Sequence, residues 1–169
     1  MTRRLRVQNL SSGPSVPYME RTRNYYRALG YTKDYVWAHH EDVPFVRPVK
    51  SLAAMKVALI STAGPGDRTH RDESGRRHVW SGLVASPPDS FETDMAWDRE
   101  STHTDDRETF MPIDAAQKLV ADGTLGALAP RFHAAPTDYG QQKTTGTDAP
   151  EILKRLREDK VDAAILAAL

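Results

Sequence analysis

The run Val57 to Thr62, "VALIST", is apolar over most of its length and stops at Ala63-Gly64-Pro65-Gly66. A strand with one wet face alternates apolar and polar residues, whereas a continuous apolar run bounded by Gly and Pro is buried on both faces. Parallel sheets bury strands this way, because crossover helices cover both sides. The run therefore predicts an α/β fold, and the rest of the chain is read for the elements around it.

"DMAWDRESTH" reads as a second strand, giving way at His103 to the polar run "THTDDRE". "PRFHAAPT" reads as a short third strand and "VDAAILAAL" as another buried one. In "VPYMERTRNYYRALGY", Tyr18, Thr22, Tyr25, Tyr26 and Leu29 share one helical stripe, with Pro17 near its start and Gly30 past its end. "MPIDAAQKLVADGTLGALAP" repeats the pattern, with Pro112 near the start, Ile113, Ala116 and Val120 on one face, and Gly123 as a stop. Asp148 is expected to cap a further helix, with Pro150 in its first turn, Glu151 three residues on, and Ile152, Leu153 and Leu156 as its apolar face.

Strands alternating with helices predict a three-layer, mostly parallel sandwich of the Rossmann or flavodoxin kind. The expected organisation is a single domain over 1–169, with an N-terminal helix and arm over 1–55 and the sheet-containing core over 56–169. Pro44 and Pro48 argue against regular structure in the arm. From Ala63 to about Met95 there is no convincing helix and a weak strand signal in "HVWSGLVAS", so a long inserted loop is expected.

A chain of 169 residues suffices for one ordinary core. Lys plus Arg and Asp plus Glu are 23 each, so no net field draws the molecule to nucleic acid or an anionic membrane. The basic start Thr2-Arg3-Arg4-Leu5-Arg6 lacks the apolar stretch of a signal peptide, and no apolar run approaches the ~20 residues of a membrane span. A soluble, cytoplasmic protein is expected. The chain has no cysteine, which removes disulfides, thiolate metal sites and any thiol nucleophile of its own.

Ligands of open α/β sheets bind beyond the carboxyl ends of the strands, which selects the loops after Thr62, Thr102 and about Arg131. Gly64-Pro65-Gly66 is not GxGxxG, and no Walker loop follows, so nucleotide binding has little support. Arg68, Arg71, Arg76 and Arg77, interleaved with Asp67, Asp72 and Glu73, either grip a carboxylate or phosphate or pair among themselves on a solvated loop. His103, beside Asp105 and Asp106, is the best histidine for proton transfer and, if there is a metal, for ligation; its plain alternative is a polar turn. His39 and His40 are adjacent and would face opposite ways on a strand, and no HxxxH or HExxH spacing occurs. Trp37, Trp80, Trp97 and the Tyr25-Tyr26 pair read as core or interface residues rather than a stacking site.

Taken in order, "YMERTRNYYRALGYTKDYVWAHHEDVPF", "VALISTAG", "STHTDDRE" with "FMPIDAAQKLVADGTLGALAPRFH", and "APEILKRLREDKVDAAIL" resemble the glycine, sarcosine, betaine and D-proline reductases in their selenoprotein B component. The resemblance runs from about Val16 to the last residue. It implies an α/β subunit in which the loop after "VALISTAG" borders the active site beside a turn similar to Ser101-Thr102-His103-Thr104-Asp105-Asp106. It also implies reductive carbon–nitrogen cleavage by a selenocysteine or cysteine following the strand similar to "VDAAILAAL". The sequence here stops at Leu169 without such a residue. Either a second polypeptide supplies it or the chemistry has been abandoned; a chain ending on an apolar strand favours a partner.

The expected function is therefore a subunit of a reductase-like enzyme for a small amino-acid-like substrate, with its redox residue supplied by a partner chain. Thr62 and Gly64 would line the site, Arg68 and Arg71 hold a substrate carboxylate, and His103 transfer a proton, oriented by Asp105. No cofactor is assigned to the chain. The alternatives are a metal-dependent, non-redox enzyme subunit with His103 as a ligand, and a non-catalytic scaffold subunit of a heteromeric complex.

Overall fold

The computed structural model describes residues 17–93, 103–137 and 140–169. The chain divides into two units, 1–44 and 45–169. In the first, α1 spans Tyr18–Ala28, with Glu20 in its first turn and Arg27 in its last, each on the side that the helix dipole favours. Gly30 follows at φ +89°, the left-handed conformation that ends helices. Arg27 then holds Asp34 through two hydrogen bonds of 2.8 and 2.6 Å. Tyr26 meets Tyr25 and Tyr31 edge to face, at centroid distances of 5.7 and 5.5 Å. No helix or strand forms over 31–44, as the arm's sequence predicts.

The second unit is built around β1, Lys56–Ser61, whose residues from Val57 onward are all buried. Short β2, Gly64–Pro65, follows, then β3, Trp80–Leu83, and β4, Phe91–Glu92. Helix α2 spans Ile113–Ala121, β5 Ala127–Leu128 and β6 Arg131–Ala134. A short α3, Gln141–Lys143, runs through a π turn, Thr144–Asp148, into α4, Ala149–Glu158, and β7 spans Ala163–Ala167.

One edge of β1 pairs in parallel with β7, from Val57 opposite Ala163 to Ser61 opposite Ala167. The other edge is shared by β5, opposite Lys56 and Val57, and β6, opposite Ile60 and Ser61, both parallel. These two are one extended passage interrupted near Pro130, which has no N–H to give a ladder. β3 pairs antiparallel with β6. The fold is thus mixed α/β with a mostly parallel sheet, as "VALIST" predicts.

Alternate side chains of these strands pack on opposite faces. Leu59 and Phe132 join Phe91, Phe110, Met111, Ile113 and Ala116 on one side, under α2. Ile60 joins Val79 and Ile152 on the other, where Leu156 and Ala164 complete the contact with α4. Each fully buried Leu, Ile or Phe contributes on the order of 1.5–3 kcal/mol relative to exposure. Among the described residues β7 pairs with β1 alone, and its Ile165 and Leu166 are exposed.

The start of α2 is secured from outside the helix. The Glu108 carboxylate accepts from Asp114 N at 3.1 Å and Ala115 N at 3.0 Å. Gly123, at φ +78°, supplies the predicted stop. At the other helix the expectation fails, because Asp148 is not a cap. The backbone upstream is already helical, so Asp148 sits inside a continuous run, buried, with Oδ2 3.7 Å from Lys143 Nζ. An N-cap needs a chain entering from a non-helical conformation, and none does here.

The stretch expected as one long loop after β1 is subdivided. β2 and β4 pair antiparallel, β3 joins the sheet, and Arg71 bridges Arg77 across a hairpin-like turn. Two aspartates build the turns: Asp67 accepts from Thr69 N and Oγ1 at 3.0 and 2.9 Å. Asp72 accepts from Ser74 N and Oγ and from Arg76 N, at 2.9, 2.6 and 2.9 Å. Of the segment read as the second strand, residues 94–102 lie outside the described residues. Among the described residues no helix is long and apolar enough to cross a membrane.

Candidate active site

The carboxyl ends of β1, β6 and β7 come together, because parallel strands place them on one side of the sheet. Thr62 Oγ1 accepts from Leu169 N at 3.0 Å and donates to Leu169 O at 3.3 Å, joining the exits of β1 and β7. Ala135 N donates to Ser61 O at 2.8 Å, joining those of β1 and β6. Here lies a shallow hollow lined by Thr62, Gly64, His70, Arg77, His78, Ala134, Ala135 and Pro136.

The loop between β2 and β3 brings the polar side chains. His70 is buried with its ring against Gly64; a Cβ at that glycine would stand 2.6 Å from Nε2, so residue 64 can have no side chain while the ring stays. His70 Nε2 is also 3.8 Å from Glu92 Oε1. Arg77 reaches Thr137, just past β6, donating from one terminal nitrogen to its carbonyl at 2.7 Å and from the other to its hydroxyl. Lys143 Nζ donates to Arg77 O at 3.1 Å, so α3 fixes the same segment. The turn aspartates are held ionised: Thr69 N–H and hydroxyl lower the Asp67 pKa, and Ser74 hydroxyl with Arg76 N–H lower that of Asp72.

Of the residues singled out from sequence, Thr62 and Gly64 line this hollow. Arg68 and Arg71 both face Glu92, at 3.5 and 3.4 Å, and Arg71 also donates to Gly75 O at 3.0 Å. The structure brings His103 and Asp105 together, with Nδ1 3.6 Å from Oδ2 and Asp105 N donating to Nδ1 at 3.3 Å. Both of these side chains are exposed, and neither lines the hollow. Sequence reasoning missed His70 and His78 and gave Arg77 no role apart from its neighbours. The "DESG" turn held the signal, since a tight reversal there pairs Arg71 with Arg77 and aims the following residues back at the sheet. Among the described residues no three His, Asp or Glu side chains gather as metal ligands would.

A second polar cluster lies between the sheet and α4. His133 is fully buried, with Nδ1 2.8 Å from Ser81 Oγ, which accepts from Arg155 Nη1 at 2.8 Å. Arg155 Nε donates to Glu151 at 2.8 Å, and Arg131 forks onto Asp159 at 2.8 and 2.9 Å while reaching Glu158 at 3.1 Å. Burial first, then the neighbouring guanidinium groups of Arg131 and Arg155, pushes the His133 pKa down to about 4. The pairing with Asp159 and Glu158 raises that of Arg131. This cluster docks α4; it has no opening onto the hollow among the residues that line it.

The family model for glycine/sarcosine/betaine reductase selenoprotein B matches residues 26–169. The chain belongs to that family. Among curated proteins, it is 24% identical over 145 residues to the glycine reductase complex component B subunit gamma of Symbiobacterium thermophilum. The aligned part is 82% of this chain and 34% of that relative, so the chain spans about a third of the relative's length. No solved structure matches the chain. The selenoprotein B match includes the whole of the second unit, and with it every residue that lines the hollow.

Proposed function

We propose that this selenoprotein B family chain is a subunit of a glycine reductase-like complex, binding a small amino-acid-like substrate at the carboxyl ends of β1 and β6. The family match over residues 26–169 carries the reading. Three features of the chain support it. The strand ends converge on a hollow, as the general rule for ligand sites in α/β sheets requires. Helices α2 and α4 pack on opposite sides of the sheet, which fits a three-layer, Rossmann-like arrangement. The Symbiobacterium relative is named as a component of a complex.

None of the 169 residues is a cysteine. In this reading the two electrons for reductive cleavage come from a selenol or thiol on another polypeptide, brought to the substrate across an interface. Thr62 and Gly64 line the substrate site; His103, paired with Asp105 on the surface outside the hollow, serves as the proton-transfer residue where the partner chain closes over the substrate. The test is co-purification from native cells followed by dithiol-dependent turnover of glycine, sarcosine and betaine. A complex that contains a selenocysteine or cysteine chain and reduces one of them is the expected result. A chain that purifies alone, and whose addition to such components changes no turnover, refutes the reading.

A further inference from the structure

We propose that the outer edge of β7 is a docking surface for a second α/β polypeptide, which adds a parallel strand there and lays apolar cover over both faces of β7. The inference rests on the reductase-complex reading for the partner's place in the assembly, and it names the surface that receives it. β7 carries the pattern of an interior strand at the edge of the sheet. From Ala163 to Leu169, "AAILAAL", there is no charged residue and no proline, the devices that usually keep an exposed edge from pairing. Among the described residues its one sheet neighbour is β1. The register sets Ile165 beside Leu59, on the α2 face, and Leu166 beside Ile60, on the α4 face. Ala163 and Ala164 still reach the packed clusters on those two faces, but Ile165 is 51% and Leu166 74% exposed. Cover from the helices thus stops short of the larger side chains of β7 on both sides at once.

A strand that is apolar on both faces belongs inside a parallel sheet, between neighbours and under helices. A second copy of this chain supplies too little. Its β7 could pair with this one and close the edge, yet in each copy the helices stop short of β7, so Ile165 and Leu166 would stay wet at the junction. The occupant that fits brings a strand and its helices together, the unit from which parallel sheets are built. The family has chain to spare for such a unit: the aligned part is 34% of the Symbiobacterium relative, so that protein holds sequence beyond what this one contributes. Direction matters as well. Thr62, at the rim of the hollow, is hydrogen-bonded to Leu169 just past β7. A strand laid parallel on β7 ends on this same side of the sheet, where the loops that build ligand sites gather. Docking at this edge therefore turns the partner's following loop towards the hollow, the approach that a selenol or thiol on another polypeptide requires.

The test compares the isolated 169-residue chain with the complex co-purified from native cells, by amide hydrogen exchange and by photo-crosslinking from a benzophenone side chain placed at position 166. Amides of 163–167 that point away from β1 should exchange on the order of tenfold slower, or more, in the complex. Crosslinks should join position 166 to a strand of a different polypeptide. Leu166→Lys should lower the yield of complex on the order of tenfold or more, since it sets a charge against apolar surface, while the isolated variant keeps a cooperative thermal transition. Leu153→Lys, at an exposed position of α4, should assemble as the wild type does. If Leu166→Lys does not fold, exchange in the wild-type complex and the crosslinks decide the matter. Equal protection of these amides in the isolated chain, crosslinks to a second copy or to another segment of the same chain, or full assembly of Leu166→Lys would overturn the assignment. So would a chain that purifies alone. Failure here is separable from failure of the reductase reading: an active complex in which these amides stay unprotected removes this surface alone. Protection and crosslinks at β7 in a complex that reduces no substrate remove the reductase reading alone.

Discussion

Acidification to pH 5 should destabilise this protein through His133. The ring is fully buried and its pKa is pushed from 6.5 to about 4, mainly by burial and then by Arg131 and Arg155. Because the folded-state value lies below the unfolded one, the unfolded chain takes up a proton first as pH falls. The stabilising contribution is complete above the unfolded pKa and is lost as pH drops from about 6.5 towards about 4. Applying linkage to those two values gives a loss of about 2 kcal/mol between pH 7 and pH 5, tending to about 3 kcal/mol at the acid limit. Against a total of roughly 5–15 kcal/mol for an ordinary domain, that is measurable. The depressed carboxylates Asp67, Asp72 and Glu151 act in a different window: their contribution is present above the ordinary carboxylate range and disappears below it.

The assay is urea unfolding at pH 7 and pH 5 for the wild type and for His133→Asn, which keeps a polar atom within reach of Ser81 Oγ. The variant starts less stable at pH 7 but should lose about 2 kcal/mol less than the wild type over this interval. Parallel losses in the two proteins would refute the reasoning. So would an imidazole NMR titration of the folded chain with a midpoint at or above 6.5 for His133.

Other outcomes follow from contacts described above. Glu108→Ala removes the carboxylate that accepts from Asp114 N and Ala115 N, and should lower stability by about 1 kcal/mol, read as a shift in the urea midpoint at constant m. Phe132→Ala empties the centre of the core and should cost roughly 3–5 kcal/mol; a loss under about 1 kcal/mol would mean that the packing described here is wrong. Gly64→Ala puts a methyl group 2.6 Å from His70 Nε2 and should displace that ring, which the His70 side-chain NMR signals would report. His103→Ala should leave the fold intact, as its side chain is exposed, yet reduce turnover of the assembled complex by about a hundredfold. Full activity of that variant would favour a scaffold role instead.

The sheet was largely legible because its signals are local. "VALIST" reads as a doubly buried strand from its lack of alternation alone, and "VDAAILAAL" and "PRFHAAPT" fall where β7 and β6 form. The end of α2 was legible for the same reason, since Gly123 marks the stop whatever packs nearby. Asp148 misled because an Asp-x-x-Glu spacing describes a helix entry only if the preceding chain is not helical. "QQKTTGTD", with its β-branched threonines and glycine, hides the helix that precedes it. The site was half legible: Thr62 and Gly64 follow from the end of a strand, whereas Arg77 and His78 are brought back beside His70 by a turn built by Asp72 and Gly75. Composition cannot tell which of four neighbouring arginines points at the sheet and which meets Glu92. That depends on pairing between residues 71 and 77, which no single-residue propensity contains.

The pairing of β1 also sets a schedule for synthesis. Lys56 N donates to the carboxylate of Asp162, 106 residues later, at the start of the β1–β7 ladder. At roughly 5–20 residues per second, a ribosome needs on the order of 5–20 s to make the intervening chain. For that interval Val57, Leu59 and Ile60 have emerged without β7, and for the larger part of it without β5 and β6 as well, far longer than the microseconds in which apolar segments collapse. Recovery of native protein should therefore depend on translation speed and on holdase chaperones engaging the nascent "VALI" segment. Slowing the ribosome downstream of it would lengthen the exposure.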